Sequence, residues 1–262
     1  MRQTEIVTDK LKQAFPEDEF EIIGISTKGD KILDKSLQSF GGKGVFIKEL
    51  ETALISGETD MAVHSAKDMP VELPEGLRIG AVLERGAHED VMILFSDKIP
   101  NIIGTGSIRR EVQIKEIYPD AEIGSIRGNI NTRIEKLRRG EYDAIIIAKA
   151  ALERLGIGDD LYITPLDFVC AAGQGIIAIE TRKGDLEKYM AAINDADTAL
   201  ALEAERAFLE VSGGGCHSPV GAYAIVKDGV ITMETMLMKD DKIIRKTLTG
   251  REPKEIAESA VE

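Results

Sequence analysis

Two stretches of this 262-residue chain carry the densest anion-binding chemistry. Gly104-Thr105-Gly106-Ser107-Ile108-Arg109-Arg110 is a glycine-rich turn that opens an amphipathic segment. Ser125-Ile126-Arg127-Gly128-Asn129-Ile130-Asn131-Thr132-Arg133 repeats the arrangement. Backbone N–H groups at a helix start and guanidinium forks both suit carboxylate or phosphate. Two such units so close together point to a ligand with several negative charges. The plainer reading is that these arginines coat solvated helix faces or pair with Glu111, Glu116 and Glu135.

A second constellation is Ser65-Ala66-Lys67-Asp68-Met69-Pro70. Pro70 disfavours helix at Met69, so Lys67 and Asp68 belong on a loop at a strand end, where ligand groups of open α/β sheets collect. Asp68 suits stabilisation of a cation or a proton transfer, or simply capping of a loop. Three glycines precede Cys216, leaving its thiol accessible as a nucleophile or covalent tether; a small residue in a tight turn is the alternative. Cys170 follows an apolar run and reads as core. Neither cysteine has a second one at metal-ligand spacing, so no metal is expected. His64 and His217 read as hydrogen-bonded structural histidines. The basic loop Gly41-Gly42-Lys43-Gly44 lacks the P-loop pattern of a nucleotide site.

The balance of the chain narrows the classes further. A formal net charge of −13 is a poor match to nucleic acid, and 5% aromatics with no tryptophan argue against a base-stacking platform. No apolar run approaches the ~20 residues of a membrane helix. The charged N-terminus does not resemble a secretory signal. Two cysteines do not form a disulfide framework, so a reducing cytoplasm is expected.

Positioning these residues requires alternating elements. Periodicity predicts helices over 3–14, 45–55, 107–118 and 197–211, one capped at Asn129 or a neighbour and ended by Gly140, one carrying Leu152, Arg154 and Leu155, and one starting at 253. Strands are expected at 20–25, 61–64, 77–83, 91–95, 121–126, 144–148 and 176–180, and strands with turns through 220–249. Alternation over 91–155 implies βαβ units and a mostly parallel sheet, and residues 1–83 show the same pattern. The result is an α/β protein of two similar halves with a cleft between them, plus a small α+β unit at the C-terminus.

Several motifs, in one order along nearly the whole chain, resemble the hydroxymethylbilane synthase (porphobilinogen deaminase) family. They are G-G-K-G-V-F-I-K-E-L-E at 41–51, A-V-H-S-A-K-D-M-P at 62–70, G-T-G-S-I-R-R at 104–110, S-I-R-G-N-I-N-T-R at 125–133, G-E-Y-D-A-I-I-I-A at 140–148, A-A-G-Q-G at 171–175 and G-G-G-C-H-S-P-V-G-A-Y-A at 213–224. The resemblance implies two domains like a type II periplasmic binding protein, at 1–83 with 174–194 and at 84–173. A third, at 195–262, would carry the cofactor cysteine. It implies a cytoplasmic, monomeric transferase of porphyrin, haem and tetrapyrrole biosynthesis, binding neither nucleic acid nor membrane. That enzyme joins four porphobilinogen molecules head to tail with loss of ammonia. Its primer is a dipyrromethane held by a thioether, here at Cys216. Asp68 would sit by the pyrrole nitrogens and favour the cationic intermediates. Lys43, Ser65, Lys67, Thr105, Ser107, Arg109, Arg110, Arg127, Arg133 and Arg154 would bind the acetate and propionate arms.

Three departures stand out. The family opens with a strand and an R-x-S-x-L-A segment that supplies a carboxylate-binding arginine, whereas Met1-Arg2-Gln3 enters the first helix directly. Ser39 stands where a basic residue often precedes the glycine loop, and the last helix is short at Glu262. A trimmed copy and a missing first strand are the two readings of that start. The competing class is a non-enzymatic anion-binding module, against which the glycine-cysteine loop counts.

Overall fold

The computed structural model describes residues 1–25, 47–95, 98–158, 161–214, 218–240 and 242–262. The loop carrying Lys43, and the segment carrying Cys216 and His217, lie outside the described residues. Three sheets organise the rest.

The first sheet has the order β1 (Met61–Ser65), β8 (Ile177–Arg182), β2 (Leu77–Val82), so a strand from late in the chain lies between two early ones. Both pairings are antiparallel. The parallel sheet expected for this half is therefore not seen among the described residues. Apolar periodicity reports which faces are buried and carries no strand direction. Residues 20–25, expected as a strand, are irregular. Helix α1 (Arg2–Ala14) packs Val7 and Leu11 with Met190, from α6 (Glu187–Ile193), against Ile177 and Ile179 on one face. On the other face Ala66, Met69 and Ala178 meet Leu202 of the third unit.

The second sheet runs β5 (Glu122–Gly124), β4 (Ile102–Gly104), β6 (Ala144–Ala148), β3 (Asp90–Leu94), β7 (Tyr162–Leu166). The β4 pairings are parallel and the β3 pairings antiparallel, a mixed sheet where a mostly parallel one was expected. Strand β7 went unforeseen because Pro165 interrupts its pattern; as an edge strand it tolerates proline. Every residue of β3 and β6 is buried. Alternate residues serve opposite faces: Ile145 and Ile147 meet Ile134 and Leu137 of α4 (Ile130–Arg138), and Ile146 meets Ile114 of α3 (Ile108–Ile117). Each such buried isoleucine contributes about 1.5–3 kcal/mol. Asn129 caps α4 by accepting the Thr132 N–H at 2.9 Å, as the sequence suggested.

The third sheet is an antiparallel meander of β9 (Val220–Lys227), β10 (Val230–Lys239) and β11 (Lys242–Gly250). It is backed by α7 (Ala196–Val211) and α8 (Pro253–Val261). Asp228 and Gly229, at φ 53° and 69°, form the tight turn between its first two strands.

The first two sheets are joined by two adjacent crossovers. Gly86 N–H donates to Gly175 C=O at 3.2 Å, and Leu83 N–H to Ile177 C=O at 3.0 Å. Gly175 has φ 87°, and a Cβ there would lie 2.8 Å from the Gly86 and Ala87 oxygens. Only glycine permits that approach.

Candidate active site

Strand β1 delivers the Ser65–Asp68 motif. It ends at Ser65, and residues 66–68 form one 3-10 turn before the extended Met69 that Pro70 requires. Lys67 is half-buried and Asp68 exposed. The turn rests on the crossover pair joining the first two sheets (the hinge): Gly173, at φ 74°, lies so close that a Cβ would sit 2.9 Å from the Ala66 carbonyl carbon and the Lys67 nitrogen. Lys67 Nζ donates to Gln174 Oε1 at 3.3 Å.

The arginine-rich turns come from the second sheet. Thr105 is buried, and its Oγ1 accepts the Ser107 N–H at 3.2 Å, shaping the turn. Ser107 sits at the N-cap of α3 without a side-chain capping bond. Arg109 and Arg110 are buried and gather on Asp90, which is fully buried at the start of β3. Arg110 donates from Nε (3.0 Å) and Nη2 (2.7 Å) to Asp90 Oδ1 and from Nη1 to the Ile146 carbonyl. Arg109 Nη1 lies 2.8 Å from Asp90 Oδ2 as an ion pair and donates to Val169 C=O at 2.8 Å. The sequence proposed Glu111, Glu116 or Glu135 as alternative partners. Glu116 instead pairs with Arg245 and Glu135 with Arg139.

Burial pushes the Asp90 pKa up, but Arg110 and Arg109 outweigh it and hold the carboxyl well below the ordinary aspartate value of 3.8. A depressed carboxylate contributes stability above its unfolded pKa, so the cluster is fully effective above about pH 4 and weakens as pH falls toward the depressed value.

Arg127 lies in the loop before α4, and Arg133 within α4 donates Nε–H to Gly128 C=O at 2.8 Å. Burial, then Arg110, lower the Arg133 pKa, with Asp68 acting the other way and Arg127 lowering it again. Burial, then Arg110, push Lys67 down to about 8, opposed by Asp68 and Asp90. These couplings put the Lys67–Asp68 turn and the arginines of the second sheet in one electrostatic neighbourhood. Its named members are five cations (Lys67, Arg109, Arg110, Arg127, Arg133) and two carboxylates (Asp68, Asp90). Crowded positive charge of this kind is relieved by an anion.

Of the other expected residues, Ser65 is half-buried at the end of β1. Arg154, in α5 (Lys149–Leu155), donates Nη2–H to Gly175 C=O at 2.7 Å and so braces the hinge. His64 is buried on Glu180 at 2.9 Å, the structural role expected. Cys170 is core, its thiol pushed up to about 12 chiefly by burial.

Lys67 makes a pH prediction. Its folded pKa lies below the ordinary value, so the protonated form is strained in the free protein, and this strain is relieved as pH rises from about 8 toward 10.5. An anion that needs the ammonium binds at full strength below about pH 7 and weakens above pH 8 by up to about tenfold per unit. Calorimetric titration of a polycarboxylate across that range checks it. Lys67→Arg, whose guanidinium stays charged, flattens the dependence.

Four residues absent from the sequence expectations complete the frame: Asp90, Gln174, Arg85 and Glu205. Glu205 of α7 is fully buried. It accepts from Arg85 (2.6 and 3.0 Å), Gly173 N–H (2.6 Å) and Ala224 N–H (2.7 Å), tying the third unit to both crossovers. Arg85 lies over Tyr223, whose ring stacks on His88 at 3.8 Å. Two surface cavities lie elsewhere, one of about 400 Å³ at Val82, Leu202 and Arg206 and one of about 280 Å³ at Arg85, His88 and Tyr223. Among the described residues no group of His, Cys, Asp and Glu could hold a metal, and no helix is long and apolar enough to cross a membrane.

A mixed α/β frame gathers an exposed carboxylate and crowded cations, an arrangement suited to an anionic ligand. The comparisons narrow the class. Residues 1–189 match the profile of "Porphobilinogen deaminase, dipyromethane cofactor binding domain" and residues 199–262 that of "Porphobilinogen deaminase, C-terminal domain". Porphobilinogen deaminase of Geobacillus kaustophilus is 44% identical over 273 residues, covering 99% of this chain and 88% of that protein. The Oceanobacillus iheyensis protein of the same name is 46% identical over 277 residues, covering 100% and 89%. Among solved structures the Bordetella pertussis BvgS periplasmic VFT2 domain is 19% identical with a TM-score of 0.43, covering 80% of this chain and 82% of that one; a likeness so slight has no functional weight. The chain belongs to the porphobilinogen deaminase family of transferases, and its first 189 residues are the family's dipyrromethane cofactor binding domain.

Proposed function

We propose that the chain is a hydroxymethylbilane synthase. It joins four porphobilinogen molecules head to tail, with one ammonia lost at each addition, on a dipyrromethane primer linked through Cys216. The observation that carries this reading is the match to both porphobilinogen deaminase profiles over nearly the whole chain, and the exposed Asp68 beside Lys67 fits it. Each pyrrole carries an acetate and a propionate, and the crowded cations fit such a polycarboxylate.

When bound, the primer supplies the pyrrole α-carbon to which substrate adds. The chain's own residues do the rest. As the aminomethyl C–N bond of the substrate breaks, the electron pair leaves with ammonia and positive charge spreads onto the substrate's ring nitrogen. Asp68 offers a carboxylate to that developing charge and can accept the proton released after the new C–C bond forms. Lys43, Lys67, Ser65, Ser107, Arg127 and Arg133 hold the acid arms. Arg109 and Arg110, anchored on Asp90, supply fixed charge that needs no reorganisation. Thr105 and Arg154 shape the turn and the hinge.

We divide the chain into domains at 1–83 with 174–194, 84–173 and 195–262, and place the enzyme in the cytoplasm as a monomer. The test is turnover of porphobilinogen with ammonia measured: the reading predicts one ammonia per substrate consumed and a linear tetrapyrrole product. Tight binding of porphobilinogen with neither product would contradict it.

A further inference from the structure

Gln174 is fully buried, although it sits on a crossover segment outside the sheets. Both ends of its amide are engaged. Nε2 donates to the His88 carbonyl at 2.7 Å and to Asp90 Oδ1 at 2.9 Å, while Oε1 accepts from Lys67 Nζ at 3.3 Å. Turning the amide over would set its oxygen against two acceptors and its NH2 against an ammonium, so the partners fix its orientation. The backbone is held as firmly: its carbonyl accepts Arg85 Nε–H at 2.9 Å, and glycines with positive φ flank it on both sides. Asp90 Oδ1 also receives two donors of Arg110, so one oxygen atom separates the hinge amide from the arginine cluster. On its other side the amide holds the turn that carries Asp68.

Resting on the function proposed above, we infer that Gln174 is a positioning residue for the reaction, holding Lys67 and the Asp68 turn in register with the Asp90–Arg109–Arg110 cluster across the hinge. It touches no substrate and acts through Lys67. A filler of the same volume would preserve packing but not this register. The charges that face Lys67 are Arg110, Arg109, Asp68 and Asp90. Against that background of burial and charge, the acceptor supplied by residue 174 adds one hydrogen bond that favours the ammonium.

The test is the pH dependence of kcat/KM for porphobilinogen in the mature, primer-bearing enzyme. Intact mass and thermal melting establish that each variant is folded and loaded. Wild type shows an alkaline limb above the Lys67 value of about 8, because the primer's carboxylates favour the ammonium. Gln174→Met removes the acceptor: the limb moves to lower pH by on the order of half to one unit, and KM rises more than kcat falls. Gln174→Glu offers a carboxylate to the ammonium and the limb moves the opposite way, at a cost in stability because its second oxygen faces the His88 carbonyl and Asp90. Limbs that stay at the wild-type position in both variants, whatever the loss of rate, overturn the inference. If Gln174→Met does not fold, Gln174→Glu decides alone. A wild type that consumes no porphobilinogen overturns the function proposed above instead. The same limb, read on citrate affinity, then still decides the role of Gln174.

Discussion

Replacing Asp68 with alanine is expected to lower turnover by about 10²–10⁴-fold while leaving fold and primer in place. The side chain is exposed at the end of a 3-10 turn, and surface substitutions of this kind usually change stability by less than about 0.5 kcal/mol. The loss therefore falls on the chemical step, where the carboxylate meets the charge left by departing ammonia. Asp68→Asn keeps the shape and loses the charge, so it is expected to fall with alanine. Asp68→Glu retains a carboxylate one methylene further out and is expected to recover part of the rate. Single-turnover kinetics with the primer confirmed by mass are the check. Near-normal turnover in Asp68→Ala would remove this residue from the mechanism.

Replacing Asp90 with alanine is expected to be the most damaging change to stability, about 3–5 kcal/mol. The carboxylate is wholly buried, and removing it leaves Arg109 and Arg110 facing each other without an anion. Gln174 would lose one of its two amide-hydrogen acceptors in the same stroke. The urea midpoint of unfolding measures the effect. Sulfate is expected to restore part of the loss in Asp90→Ala and little in wild type, because an inorganic anion can take the carboxylate's place between the guanidinium groups. A midpoint that shifts by less than about 1 kcal/mol would mean that the surrounding groups repack around the two arginines.

The motifs and most elements were legible in the sequence because local rules write them. Ile130, Ile134 and Leu137 declared one helix face, Asn129 its cap, and Ala144–Ala148 a strand buried on both sides. Strand direction was not legible: β1 and β8 pair antiparallel across more than a hundred residues of intervening chain, and periodicity does not record partners. The arginines were recognised as a charge cluster, but their counter-ion was sought nearby, among residues of their own helices. Asp90 lies 20 residues from Arg110, at the start of a strand. A signal for it did exist. An aspartate opening the run Asp-Val-Met-Ile-Leu enters a strand buried on both faces, and a charge there requires a partner. Gln174 showed only as part of the A-A-G-Q-G motif and Glu205 gave no signal, since their bonds reach 84 and 32 residues away.

The most direct test of the whole account is the intact mass of protein purified from cells that make porphobilinogen. The expected mass is that of a polypeptide heavier by two substrate units, each less one ammonia, with that increment lost in Cys216→Ser. A wild-type mass equal to the bare 262-residue chain, obtained with substrate abundant, would contradict it.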